Sequence, residues 1–227
     1  MRRSKAAASA QDRARVALSI FLIAGAVWLL QAGASWLGLP GVHLDNSFDL
    51  RDIRRPGLVP VSGPDEAART VVVFTDYQCA VCRADERVLR SAFADPTVRV
   101  VVKEWAILGP ASVAAARLAL AASYQGRYRA ARRALMEAGS VRTARDREQA
   151  LARAGIDRIR LQHDLERHGR QIDQDLNRAS RHAFALGLRG TPAYLIGSRL
   201  VTGGLSRQHF DRIRAAELET LGTVPER

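Results

Sequence analysis

The chain has 227 residues, enough for one domain of ordinary size plus an appendage, and an apolar fraction of 47% is adequate for a packed core. The net charge is +12, carried almost wholly by arginine, since Lys5 and Lys103 are the only lysines. Basic charge of this size can indicate nucleic acid or an anionic membrane surface. Between Arg127 and Arg170, however, the arginines are interleaved with Glu137, Asp146, Glu148, Asp157, Asp164 and Glu166. Mixed signs at helical spacing describe a solvated, salt-bridged face, so no nucleic-acid partner is expected.

Residues 1–15 form a basic segment with Arg2, Arg3, Lys5, Arg13 and Arg15 against Asp12. From Val16 to Leu44 there is no Asp, Glu, Lys or Arg, and the densest apolar part is Val16 to Leu30. This is the pattern of an export signal whose N-terminus stays in the cytoplasm. Residues 16–38 are expected to be an uncleaved signal-anchor, long enough to span about 30 Å, with Trp36 placed for an interface. Ala32-Gly33-Ala34 also satisfies a small-x-small cleavage pattern, so a cleaved, soluble form is the alternative. Either way the rest of the chain lies in the periplasm or another extracytoplasmic space, where disulfides persist.

Residues 39–62 read as a linker, with a short edge strand near Leu58-Val59-Pro60-Val61, and the domain is expected over 63–221. Val71 to Thr75 is a β-branched and aromatic run, the pattern of a strand buried on both faces. Good helix formers run from Ala80 to Phe93, and Val98 to Glu104 is a second strand. Strand, helix and strand in this spacing make a βαβ unit. After Gly109-Pro110 an Ala- and Arg-rich region, about 110–186, breaks at Gly126, Gly139-Ser140 and Gly155, which gives several helices and no strand. Ala193 to Ile196 and Arg199 to Thr202 form a hairpin around Gly197-Ser198. Ser206 caps a last helix, and residues 222–227 are a tail.

Between the first strand and its helix lies Cys79-Ala80-Val81-Cys82, which holds the only two cysteines of the chain. Cys79 should sit at a helix N-terminus, where unpaired N–H groups and the positive end of the dipole favour a thiolate. A redox pair is therefore expected. A zinc site needs four ligands, and neither a second cysteine pair nor a suitable histidine cluster accompanies this one. A structural disulfide closing so short a loop would be a poor staple. Glu104, at the end of the second strand, has two readings: a proton relay for a buried thiol, or a strand-end carboxylate facing water. Gly190-Thr191-Pro192, taken alone, reads as a turn before a strand.

The stretch Phe74-Thr75-Asp76-Tyr77-Gln78-Cys79-Ala80-Val81-Cys82-Arg83 resembles the active-site segment of DsbA-like thiol–disulfide oxidoreductases, a branch of the thioredoxin superfamily. The resemblance extends to Lys103 to Gly109, to the Ala-rich helix after it, and to Gly190 to Tyr194, covering about residues 63 to 220. It departs at Ala80, where the family often has proline. The resemblance implies a thioredoxin-like α/β fold with the helical region as an insertion. It further implies a cis Thr191-Pro192 peptide lying against the cysteines, with Thr191 as a backbone edge for substrate.

The expected activity is disulfide exchange with client proteins that carry cysteine thiols. Cys79 is the expected nucleophile and Cys82 the resolving thiol. The Cys79–Cys82 disulfide serves in place of any cofactor, no metal is expected, and a separate redox partner regenerates the site. The expected direction is oxidising; reductase and isomerase roles stay open. Ala80-Val81 offers no polar group to stabilise the Cys79 thiolate, which argues for a mild oxidant. The alternative is a membrane-tethered binding module that holds clients or Cu(I) without redox turnover.

Overall fold

A computed structural model describes residues 39–44, 50–59, 61, 63 and 70–222. The segments 1–15 and 16–38, read above as a basic segment and a membrane or signal helix, lie outside the described residues. Among the described residues no helix is long and apolar enough to cross a membrane.

The strands are β1 (Val42–His43), β2 (Thr70–Thr75), β3 (Arg99–Glu104), β4 (Ala193–Ile196) and β5 (Arg199–Thr202). They form one mixed sheet in the order β1-β5-β4-β2-β3. Every residue of β2 is buried, as its unbroken apolar pattern requires of a central strand. It runs parallel to β3, with Thr75 opposite Glu104, and antiparallel to β4, with Val73 opposite Tyr194. The parallel pair is joined by helix α2 (Ala80–Ala94), so the first strand, the active-site helix and the second strand form the expected βαβ unit.

The hairpin β4–β5 turns at Gly197, whose φ of 55° lies in the left-handed region. Only glycine fits there on a second ground: a Cβ would come within 2.5 Å of the buried Glu217 carboxylate. That carboxylate also accepts a hydrogen bond from Ser198 N at 2.8 Å, fastening the turn to helix α7 (Arg207–Gly222). Gly222, expected in the tail, closes this helix, and residues 223–227 lie outside the described residues. Ser206 Oγ accepts from His209 N at 3.2 Å and caps it.

Between β3 and β4 the chain is helical throughout: α3 (Pro110–Ala121) with a 3-10 turn (Ala122–Gln125), α4 (Tyr128–Glu137), α5 (Ala144–Arg153) and α6 (Arg158–Ala185). The breaks fall at the glycines and at caps. Thr143 and Asp146 make a reciprocal capping box for α5, and Asp157 accepts from Arg160 N at the start of α6. The buried small residues Ala115, Ala116 and Ala119 let α3 pack closely on α4 and α6.

Part of the stretch expected to be a linker belongs to the fold. β1 pairs antiparallel with β5, and a short helix α1 (Arg51–Arg54) buries Leu50 and Ile53 in the core beside Val72, Phe74, Val101 and Leu195. No strand forms around Leu58-Val59; Val59 is buried in irregular chain instead. The reason is polar anchoring that composition does not display. Arg54 donates to Gly197 O at 2.9 Å, His182 Nε2 lies 2.9 Å from Asp52 Oδ2, and Lys103 Nζ donates to Arg55 O at 2.8 Å.

Candidate active site

Cys79 is the N-cap of α2, as the strand-turn-helix pattern dictates. Its Sγ accepts from Cys82 N at 3.3 Å, using one of the donors that a helix leaves unpaired in its first turn. The Cys79 thiol also donates to Thr191 O at 3.3 Å. Both cysteines are free thiols, and Cys79 retains 7% exposure against 1% for Cys82. The difference follows from position: Cys79 caps the helix end, whereas Cys82 turns back beneath it. Burial, reinforced by a hydrogen bond with Cys79, pushes the Cys82 thiol up to about 12, against opposing hydrogen bonds from the Asp76 backbone and the Thr191 side chain. Thr191 lies with its carbonyl against the outer sulfur, Cys79. The Thr191-Pro192 peptide is cis.

The turn into α2 is held by Asp76, which is 0% exposed. Its Oδ1 accepts from Gln78 N at 2.7 Å and from Ser112 Oγ at 2.7 Å. Its Oδ2 accepts from Ile107 N at 2.8 Å and Leu108 N at 3.0 Å. One carboxylate thus ties the residues before Cys79 to the loop after β3 and to the first turn of α3. Asp76 O also accepts from Cys79 N at 3.2 Å. A second carboxylate, Asp85, lies one turn beyond Cys82 and accepts from Tyr194 Oη at 2.7 Å and Leu205 N at 2.9 Å. Burial and then Asp85 raise Tyr194 far above the ordinary tyrosine range, so it stays a neutral donor.

Glu104 does not face water; it is 2% exposed. Its Oε1 accepts from Tyr77 Oη at 2.7 Å and Tyr128 Oη at 2.6 Å, and it lies 3.9 Å from Arg132 Nη1. Arg132, itself 1% exposed, donates to Glu86 Oε2 at 2.8 Å. Burial raises the Glu104 pKa above the ordinary glutamate value, while Arg132 and the two tyrosines oppose the rise. Its second oxygen is buried without a hydrogen-bond partner among the described residues. Tyr77, two residues before Cys79, links this network to the active-site turn.

The structure brings the Thr191-Pro192 loop against Cys79, 112 residues earlier in the chain. Sequence reasoning missed Asp76, Asp85 and Tyr194. An aspartate just after a strand is a turn signal, because its side chain can bond the N–H two residues on, and Asp76 does so with Gln78. Its other three donors come from 31 to 36 residues away and leave no local signature.

The model of the DSBA-like thioredoxin domain matches residues 70–213, more than half of the chain. The chain is similar in structure to a thioredoxin-like oxidoreductase from Silicibacter pomeroyi, at 30% identity and a TM-score of 0.68, over 78% of this chain and 100% of that one. A periplasmic thioredoxin-like protein from Salmonella enterica serovar Typhimurium aligns at 25% identity and a TM-score of 0.64, over 78% of this chain and 99% of that one. The thiol-disulfide exchange protein alpha-DsbA2 from Wolbachia pipientis shares the fold at 24% identity and a TM-score of 0.65, over 69% of this chain and 86% of that one. No curated protein sequence matches the chain. With a cysteine pair at the head of α2 and a cis-proline loop against it, the chain belongs to the DSBA-like thioredoxin family, whose general activity is thiol–disulfide oxidoreduction.

Proposed function

We propose that the protein exchanges disulfides with client proteins outside the cytoplasm, in the oxidising direction. The observation that carries this reading is the pairing of a helix-capping Cys79, bonded to Thr191 O, with a Cys82 buried one turn on. A client thiolate attacks Cys79 Sγ of the oxidised pair. A client–Cys79 bond forms, the Cys79–Cys82 bond breaks, and Cys82 leaves as a thiolate that takes up a proton. A second client thiolate then attacks the client sulfur, releasing the client disulfide and the Cys79 thiolate. The raised pKa of Cys82 makes it a poor leaving group as a bare thiolate, so the first step calls for a proton delivered to Cys82 as its bond to Cys79 breaks. An extended client segment bonds the backbone of Thr191 in this reading.

Glu104 acts as proton relay for Cys82, with Tyr77 as the link toward the site. A separate redox partner reoxidises the pair. Ala80-Val81 places no polar group beside Cys79, which supports a mild oxidant. The charge-free run from Val16, behind a basic segment, supports a membrane anchor with the domain in the periplasm.

One experiment tests the reaction and its place together: expression of the full chain as Cys79→Ser and as Cys82→Ser, followed by non-reducing electrophoresis of fractionated cells. Cys82→Ser should accumulate client mixed disulfides in the carbonate-washed membrane fraction, and Cys79→Ser should accumulate none. Equal trapping by both variants, or by neither, would sink the exchange reading in favour of a binding module. A soluble product beginning near Ser35 would replace the anchor by a cleaved signal.

A further inference from the structure

A cleft of about 410 Å³ is lined by Gln78, the residue before Cys79, together with Leu108, Pro110, Ala111 and Arg142. One wall belongs to the active site itself, because Gln78 immediately precedes Cys79. Leu108 is 52% exposed, and its N–H is fixed to the same Asp76 that anchors Gln78. The floor is the first turn of α3, with Pro110 and Ala111. Arg142 comes from the connection between α4 and α5.

The Arg142 backbone is held firmly: its N donates to Ser140 Oγ at 3.2 Å and its carbonyl accepts from Arg147 Nη1 at 2.9 Å. Its exposed guanidinium makes no ion pair or hydrogen bond among the described residues. The nearest acid in sequence, Asp146, is already engaged by Ser140 Oγ at 2.9 Å and Thr143 N at 3.0 Å. The cleft therefore joins an apolar wall to a guanidinium that has no partner among the described residues, on a lining shared with Gln78. A guanidinium in such a place takes a carboxylate in bidentate fashion.

We propose that Arg142 is a specificity-determining residue that selects clients with an acidic side chain within three residues of the reacting cysteine. The inference rests on the exchange reading above. An extended segment advances about 3.3 Å per residue, so an Asp or Glu one to three positions from a cysteine at Cys79 spans up to about 10 Å into the cleft. The apolar part of that side chain and its neighbour lie on Leu108 and Pro110.

The test uses full-length Cys82→Ala protein with Cys79 capped as its mixed disulfide with 5-thio-2-nitrobenzoate. A single-cysteine peptide then attacks Cys79 Sγ, and the coloured thiolate leaves. Three peptides differ only by Asp, Asn or Lys two residues from the cysteine. Each rate is divided by that peptide's rate with the same cap on glutathione, which removes the peptide thiol's own acidity. The Asp peptide should react roughly tenfold faster than the Lys peptide at low salt, since attraction is exchanged for repulsion at an exposed pair. The gap should close at 1 M salt, where screening acts over about 3 Å, and Arg142→Glu should reverse the order. A ratio of one in the unmodified cleft, or one left unchanged by Arg142→Glu, overturns the proposal. Failure of every peptide to release the cap would overturn the exchange reading itself.

Discussion

Removing the Asp76 carboxylate is the sharpest single perturbation of the site. Asp76→Ala leaves four donors without their acceptor: Gln78 N, Ile107 N, Leu108 N and Ser112 Oγ. Each stranded buried donor costs about 1–3 kcal/mol. Three of the four lie on partly exposed chain and can turn toward water, which places them near the low end. Ser112, at 0% exposure, cannot. The expected loss is therefore about 4–6 kcal/mol. Asp76→Asn should cost less. The Ser112 hydroxyl can rotate to accept from the new amide, and only Gln78 N–H is then left facing a donor. The assay is urea unfolding of both variants under reducing conditions, with capped-Cys79 exchange measured alongside. Exchange should slow in both, because Cys79 N is bonded to Asp76 O and the turn loosens with it. A loss below about 1 kcal/mol in Asp76→Ala, or equal losses in both variants, would refute the accounting.

Two further outcomes follow from buried ionisable groups. Burial, and then Arg178, lowers the Lys103 pKa from 10.5 to about 8, so between those values the unfolded chain binds a proton that the fold does not. Stability attributable to Lys103 is therefore lowest below pH 8 and rises toward pH 10.5, by at most about 3 kcal/mol; Lys103→Met should lack this rise in paired urea midpoints, and parallel curves would contradict it. Glu104→Gln, which keeps an acceptor for the two tyrosines, should slow the release of Cys82 in stopped-flow oxidation of a dithiol peptide by about 10²-fold at pH 7; an unchanged rate would remove Glu104 from proton transfer.

Much of the architecture is local and was legible in the sequence. The unbroken apolar run at 71–75 requires a strand covered on both faces, and β2 is buried throughout. The glycine breaks in the Ala-rich region mark helix ends through rules that act within a few residues, and the helices do end there. The Cys79-to-Cys82 spacing likewise sets one helical turn between the two thiols, and so one outer and one buried sulfur.

What the tertiary structure decided are the meetings between residues that no short-range rule connects. Composition makes 39–62 a linker, yet β1 and α1 join the fold because Arg54, Asp52 and Arg55 find partners on distant elements. Glu104 ends a strand in a way compatible with water, but Tyr77 and Tyr128 close over it. Asp76 draws its donors from the β3 loop and α3, and Arg142 reaches the cleft beside Gln78 from a connection inside the helical insertion. Periodicity and capping report free energies that act over a few residues along the chain. A buried polar contact depends on which distant donor the packed chain brings within about 3 Å, and only the assembled fold fixes that.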